Sequence, residues 1–336
     1  MQPSELPLPA QMVLLLGGFR ISQALYVAAA LGVADQLAAG PVPVEVLAER
    51  AGAHPPSLYR LLRTLASMGV FSEPEPGVFA LTPLGRTLAS GQPGSMRDVV
   101  IMFMETHYAP FGELLHTLRT GQPAAEHMYG EPFFAWLSHH PEQAARYTAA
   151  MASLTGGFKT AAIASLPLDD AGTIVDVGGA DGTVLAAILA SRPHLRGVLF
   201  DLPHVIAAAP QNLASHGVED RAECVGGDFL ESVPSGGDAY LVSLVLHDWP
   251  DAQAHRILAN IAAAGRGARL LVLDFVVPPG DAPHMSKISD LNMLAMMGGK
   301  ERTGPEWREL LEGAGFTGTE IHLTSTPFSI IQATAR

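Results

Sequence analysis

The sequence predicts an α/β protein, a mostly parallel sheet with helices on both faces, preceded by an all-helical segment and a small winged-helix unit. Three observations carry this. From residue 172 onward, short apolar runs alternate with Ala-rich stretches of helical character: TIVDV, TVLAAILAS, GVLFD, AECVGGD, AYLVSLVL, RILANIAAA, RLLVLDFVV. Strands alternating with helices imply crossover connections in a parallel sheet. Residues 41–90 hold two helix patterns and then a strand, a turn at Gly77 and a second strand. Residues 11–39 are apolar on more than one helical face, which suits burial in a core or against a second copy of the chain.

In order along the chain, residues 1–95 form the N-terminal helical and winged-helix domain. VPVEVLAERAG is a helix closed by Gly52, and HPPSLYRLLRTLASMG is a second with prolines at its start and Gly69 at its end. Residues 96–166 are a helical linker rich in Met and aromatics, expected to contribute to a substrate pocket, and residues 167–336 are the α/β ligand-binding domain. At 336 residues, with 48% apolar and 16% charged side chains, the chain has core enough for two domains and apolar surface left for a dimer interface. A net charge of −13 argues against nucleic acid or an anionic membrane as partner. Cys224 is the single cysteine, which excludes an intrachain disulfide and a Cys-based zinc cluster. The first ten residues lack the basic region of a signal peptide, and MVLLLGGF is short for a bilayer span, with Arg20 after it. A cytoplasmic protein is expected. Only three of its twenty cations are lysines: Lys159, Lys287 and Lys300.

The ends of the sheet strands carry the chemistry. After TIVDV come Gly178, Gly179 and Gly182, and then a helix near Thr183. Ligands of open α/β sheets bind at the carboxyl ends of strands, and glycines there let backbone approach them closely. The spacing is not G-x-G-x-x-G, because Ala180 and Thr183 stand where glycines would be needed, and no P-loop Lys follows. This disfavours a nicotinamide dehydrogenase. Asp201 closes the next strand, where a carboxylate can accept from both ribose hydroxyls of a nucleoside or else cap a helix. Asp228 and Phe229 of VGGDFL follow a third strand, suited to an adenine held by hydrogen bond and stacking, or to a plain turn. Last comes VLHDWPD, with His247 past the end of a buried run. A His there is a candidate general base, metal ligand or loop residue. Asp248 or Asp251 could cap the helix that follows. A metal at His247 and Asp248 is disfavoured, since adjacent strand residues face opposite ways.

DVGGADG, FDLP, GGDF, VLHDWPD and GGKERT, in this order and spacing, resemble the S-adenosylmethionine (SAM)-dependent O-methyltransferases of the plant caffeate and isoflavone type and their bacterial secondary-metabolite branch. The resemblance spans essentially the whole chain. It implies a Rossmann-like class I methyltransferase domain, a front half that serves dimerisation, and SAM as cofactor with S-adenosylhomocysteine (SAH) as product. It implies cofactor contacts at Asp176, Gly178, Gly179, Asp201, Leu202, Gly227, Asp228, Phe229 and Ser243. It makes His247 the general base, with Asp274 and Glu301 as orienting acids and no metal. The chemistry agrees: the SAM methyl is already activated, so in-line transfer to oxygen needs positioning and proton removal. A phenol with a pKa near ~10 can pass its proton to an imidazole. Two departures stand out. The third glycine of the family's first motif is Ala180, and Ser243 occupies a position where plant members often carry Lys. Asp274 is one methylene shorter than the family's commoner Glu.

On the acceptor side the resemblance points to Met151, Leu154, Asn292 and Met293, and His107 sits in the aromatic helical region expected to roof the substrate. A small aromatic hydroxylated acceptor, entering between the helical half and the sheet, is expected. Two further readings remain. Some members of this family bind SAM without transferring its methyl and catalyse hydroxylation, decarboxylation or cyclisation. A winged-helix DNA regulator is disfavoured, because residues 41–90 balance four arginines with four glutamates and lack a basic face.

Overall fold

The computed structural model describes residues 6–92 and 94–336, without the side chains of 155, 157, 158 and 160. Two compact units result: Met1–Gly112 with Leu137–Leu154, and Glu113–Trp136 with Thr155–Arg336.

The first unit opens with helices Leu8–Leu16 and Gly18–Ala30. Gly17 between them keeps right-handed helical angles (φ −71°), so the glycine pair does not end the helical run. The apolar stretch Leu8–Ala30 is therefore 23 residues long with a mean hydropathy of 1.5, long and apolar enough by length and composition to cross a membrane. The winged-helix unit follows: β1 (Val42–Pro43), helices Val44–Ala51 and Pro55–Ser67, then β2 (Phe71–Glu75) and β3 (Val78–Leu81), with β3 antiparallel between β1 and β2. Gly52 and Gly77 take left-handed angles where the first helix stops and the hairpin turns. Leu47, Leu58, Leu62, Leu65, Phe71 and Phe79 form the core.

The second unit is a seven-stranded sheet. Its strands in chain order are β4 (Thr173–Val177), β5 (Arg196–Asp201), β6 (Ala222–Gly226), β7 (Ala239–Ser243) and β8 (Arg269–Asp274). After the short parallel pair β9 (Val276–Val277) and β10 (Arg302–Thr303) come β11 (Phe316–Leu323) and β12 (Ser329–Ala335). The spatial order is β11-β12-β8-β7-β4-β5-β6; β8 to β6 are mutually parallel, and β12 and β11 add antiparallel edges. Strand order reverses at β4, between β5 and β7, which is where ligands of such sheets bind.

Both sheet faces are covered, so the strands are apolar throughout. Ile174, Leu241, Leu271 and Leu273 join one core with Ala162, Ile163, Leu185 and Leu189. Val175, Tyr240, Val242, Leu270 and Val272 join the other with Ile257, Leu258 and Trp307. Trp307 is fully buried and donates its Nε1–H to the Phe275 carbonyl at 3.0 Å; burial of such a side chain contributes about 2–3 kcal/mol. The two-residue period of a strand then puts Asp176 on the face of Ile174 and Ser243 on the face of Leu241.

Candidate active site

The turn after β4 is built for close approach. Gly178 and Gly182 have φ of +74° and +77°, and a Cβ on Gly179 would lie 2.6 Å from Asp176 Oδ2. Ala180 also sits in the left-handed region, at φ +49°, a conformation that costs an L-residue roughly 1–2 kcal/mol. Its N–H donates to Asp201 Oδ2 at 2.9 Å, while Asp201 Oδ1 accepts from the Leu202 N–H at 2.7 Å. Asp201 thus ties the end of β5 to the strained turn. Burial raises its pKa, and the two backbone donors oppose that rise. Leu202 beside it is 38% exposed. A side chain at Gly227 would strike the Phe200 ring, Asp228 Oδ1 accepts from the Leu230 N–H, and Phe229 meets Trp249 edge to face at 5.7 Å.

Two groups in this region have no hydrogen-bond partner among the described residues: both oxygens of the fully buried Asp176, and Ser243 Oγ. Burial pushes the Asp176 pKa up to about 7; Lys159 opposes the shift, and Asp201 and Asp181 add to it. Buried polar atoms left unmatched in this way point to a polar ligand. Glycine backbone, an acid at the end of β5 and these free oxygens fit a nucleoside carrying an amino-acid tail.

A few residues past β7 the site changes character. Leu244 takes φ +54° and donates its N–H to the Leu273 carbonyl, and a 3-10 turn, Leu246–Asp248, then presents His247. The ring is buried, with Nδ1 3.0 Å from Glu301 Oε1 and 3.3 Å from Asp274 Oδ1. Nε2 has Asp248 Oδ1 at 3.6 Å, beyond hydrogen-bond distance. Glu301 Oε1 also accepts from Ser289 Oγ at 2.6 Å, and the Glu301 N–H donates to Asp290 Oδ1 at 2.9 Å. Burial works against a charged His247, but Asp274, Asp248 and Glu301 outweigh it and hold its pKa well above the ordinary value. Burial raises Asp248 to about 6 and raises Glu301 as well, with His247 opposing both shifts. One ligand atom each from His247, Asp274 and Glu301 lies within 4.8 Å of the others, as a cation site would need; hydrogen-bond separations to a single ring nitrogen describe an oriented imidazole equally well.

GGKERT earns its residues through this turn. Gly298 turns with φ +76°, and a Cβ on Gly299 would overlap the His247 carbonyl oxygen and lie 2.5 Å from the Asp248 carbonyl carbon. The fully buried Arg302 donates to the Leu246 carbonyl at 2.8 Å, the Trp249 carbonyl at 3.1 Å and Asp251 Oδ1 at 2.9 Å, with its guanidinium over the Trp307 ring. It grips the His247 turn from both sides. Neither Asp248 nor Asp251 caps the following helix, whose N-cap is Pro250 with no side-chain cap bond. The cap expectation is corrected: Asp248 faces the imidazole, and Asp251 pairs with Arg302 and Lys300.

Asn292 ends the helix Met285–Asn292 and Met293 begins a π-helical turn, Met293–Met297; Met293 and Met296 are buried, and Asn292 Oδ1 lies buried without a partner among the described residues. Within the first unit, His107 closes a second π-turn, Phe103–His107. It is buried, with Nδ1 2.8 Å from Thr106 Oγ1, and burial drives its pKa down to about 3, so the ring is neutral. Met151 and Leu154 pack around Val99, Met102 and Ala150 in that unit. π-Turns occur often at functional sites, yet no pattern in either segment announces one. Arg302, Ser289 and Asp290 were likewise not singled out from sequence; the one available signal was two cations, Lys300 and Arg302, around a single acid inside GGKERT.

The family model of the O-methyltransferase domain matches residues 111–317, and that of the O-methyltransferase dimerisation domain matches residues 13–91. This chain belongs to the SAM-dependent O-methyltransferase family. The methyltransferase is 42% identical to the phenazine O-methyltransferase PhzM of Lysobacter antibioticus over 97% of this chain and 96% of that one. It superposes on the crystal structure of LaPhzM with a TM-score of 0.94 at 41% identity, covering 98% of this chain and all of that one. A neocarzinostatin-biosynthesis O-methyltransferase, solved with SAM and 2-hydroxy-5-methyl naphthoic acid, matches with a TM-score of 0.81 at 36% identity over 94% and 96% of the two chains. Its cofactor is accordingly SAM, and the glycine turn with Asp201 and Asp176 is where the residues present fit it.

Proposed function

We propose that this methyltransferase methylates a phenolic hydroxyl of a small aromatic metabolite, with His247 as the general base. The carrying observation is an imidazole whose Nδ1 lies between two buried acids and whose Nε2 has no hydrogen-bonded partner among the described residues. Bound SAM supplies a methyl group already activated on sulfonium. The protein's own task is to orient the hydroxyl and remove its proton. Glu301 and Asp274 fix the ring and stabilise the imidazolium that forms. The acids make His247 a strong base, so turnover rises with pH as the neutral ring becomes populated. Asp201 holds the ribose, Asp228 and Phe229 the adenine, and Gly178, Gly179, Leu202 and Gly227 line the cofactor. Asn292 and Met293, in the unit that carries His247, contact the acceptor; flexible, polarisable methionines suit flat rings. The relatives named for phenazine and hydroxybenzoate substrates support an aromatic acceptor. The exposed Leu8, Leu15 and Leu16 of the N-terminal helices, within or next to the dimerisation match, support a homodimer that covers them; the dimer works in the cytoplasm on this reading.

The test supplies SAM with an isotopically labelled methyl group and a panel of hydroxylated phenazines and benzoates. Labelled ether in the product is expected, and His247→Ala should cut turnover by ~10²–10⁴ with SAH affinity unchanged. Acceptor consumed without label would favour a non-methylating reaction, and full turnover in the variant would remove His247 as base.

A further inference from the structure

The amino-acid end of SAM is a zwitterion, and its carboxylate must enter a region crowded with acids. Asp176, Asp181 and Asp201 surround the glycine turn, and Asp274 ends the neighbouring β8. A carboxylate placed there without a cation would be repelled. Two of the nearby cations are committed elsewhere: Arg302 and Lys300 both engage Asp251. Ser243, at the end of β7, offers only a neutral hydroxyl.

The helix Pro141–Ala164 brings another cation. Its Ala162 and Ile163 are buried in the core that holds Ile174, Leu241 and Leu273. Lys159 lies three and four residues before them, on the same side of the helix. That side packs on the sheet face whose two-residue period runs on to Asp176 and Ser243. Lys159 is within electrostatic reach of Asp176, Asp274 and Asp181. Asp176 lies on β4 and Asp274 on β8, the two strands that flank β7, so a charge that feels both acids belongs near the end of β7, the strand of Ser243, whose Oγ, like both Asp176 oxygens, has no hydrogen-bond partner among the described residues. Burial lowers its pKa, and the three acids act to keep it charged.

We propose that Lys159 is the cofactor-binding cation that holds the α-carboxylate of SAM and SAH, with the Ser243 hydroxyl as a second donor. This assignment rests on the cofactor reading above.

Calorimetric titration separates the possibilities, with SAH as the probe that carries the carboxylate and 5′-methylthioadenosine as the probe that lacks it. Lys159→Met should weaken SAH by about tenfold to a hundredfold and leave methylthioadenosine unchanged, and Lys159→Arg should recover most of the loss. The unchanged nucleoside affinity also reports that the variant is folded. SAH affinity within twofold of wild type in Lys159→Met, or an equal loss for both probes, would overturn the assignment of Lys159 while leaving the cofactor reading intact. No SAH binding by the unaltered protein would sink the cofactor reading, and the assignment with it.

Discussion

The two ends of the site bury polar groups in opposite ways. Around His247 the residues hold one another: Nδ1 has Glu301 and Asp274, Glu301 Oε1 has Ser289, and the turn is gripped by Arg302, leaving the second oxygens of Asp274 and Glu301 and the ring's Nε2 without a hydrogen-bond partner among the described residues. Around the glycine turn neither oxygen of Asp176 and not the Ser243 hydroxyl has a hydrogen-bond partner among the described residues. The difference teaches which groups the protein completes by itself and which await a ligand. A base that must hold its angle through turnover is fixed in advance by its neighbours. A cofactor subsite must keep its hydrogen-bonding capacity open, and it does so at a cost in stability.

That cost gives the largest expected effect. Asp176 titrates near 7 in the folded protein against 3.8 ordinarily. Between those values the folded state binds a proton that the unfolded chain has lost, so stability falls as pH rises from about 4 to 7 and then levels off. Asp176→Asn removes that fall. The ligand-free variant should gain on wild type by up to roughly 4 kcal/mol at pH 8 and by little at pH 4, read from thermal melts at both values. An equal gain at both would mean that Asp176 carries no such burden.

Breaking the completed end should have the next largest effect. Arg302→Met leaves the Leu246 and Trp249 carbonyls without their donor and should cost about 3 kcal/mol of stability. Turnover should fall further than SAH affinity, because the grip is on the His247 turn and not on the cofactor. Equal losses in both would make Arg302 a general core residue. The smallest effect concerns the tie between the glycine turn and β5. Ala180→Gly relieves a left-handed alanine and should stabilise by about 1 kcal/mol or less, since glycine entropy offsets part of the relief. A destabilised variant in denaturant titration would mean that the Ala180 methyl packs usefully.

The parallel sheet was legible because strands covered on both faces read as continuous apolar runs between Ala-rich helices. Asp201, His247, Asp274 and Glu301 were reached through motifs at strand ends, and the fold brings the last three within hydrogen-bond distance. Arg302 stayed hidden because its partners are backbone carbonyls 53 and 56 residues away in sequence, which no local pattern encodes. Asp248 looked like a cap because acids commonly precede helices; the N-cap position is taken by Pro250, and Asp248 faces the imidazole.

Gly299 bears on engineering. With its backbone pressed against the His247 and Asp248 carbonyls, the loops at 244–249 and 298–302 share one surface of main-chain contact. Neither can be swapped, lengthened or recombined from a relative alone without misaligning the imidazole, so a chimaera meant to change acceptor choice should transplant the two loops as a single block.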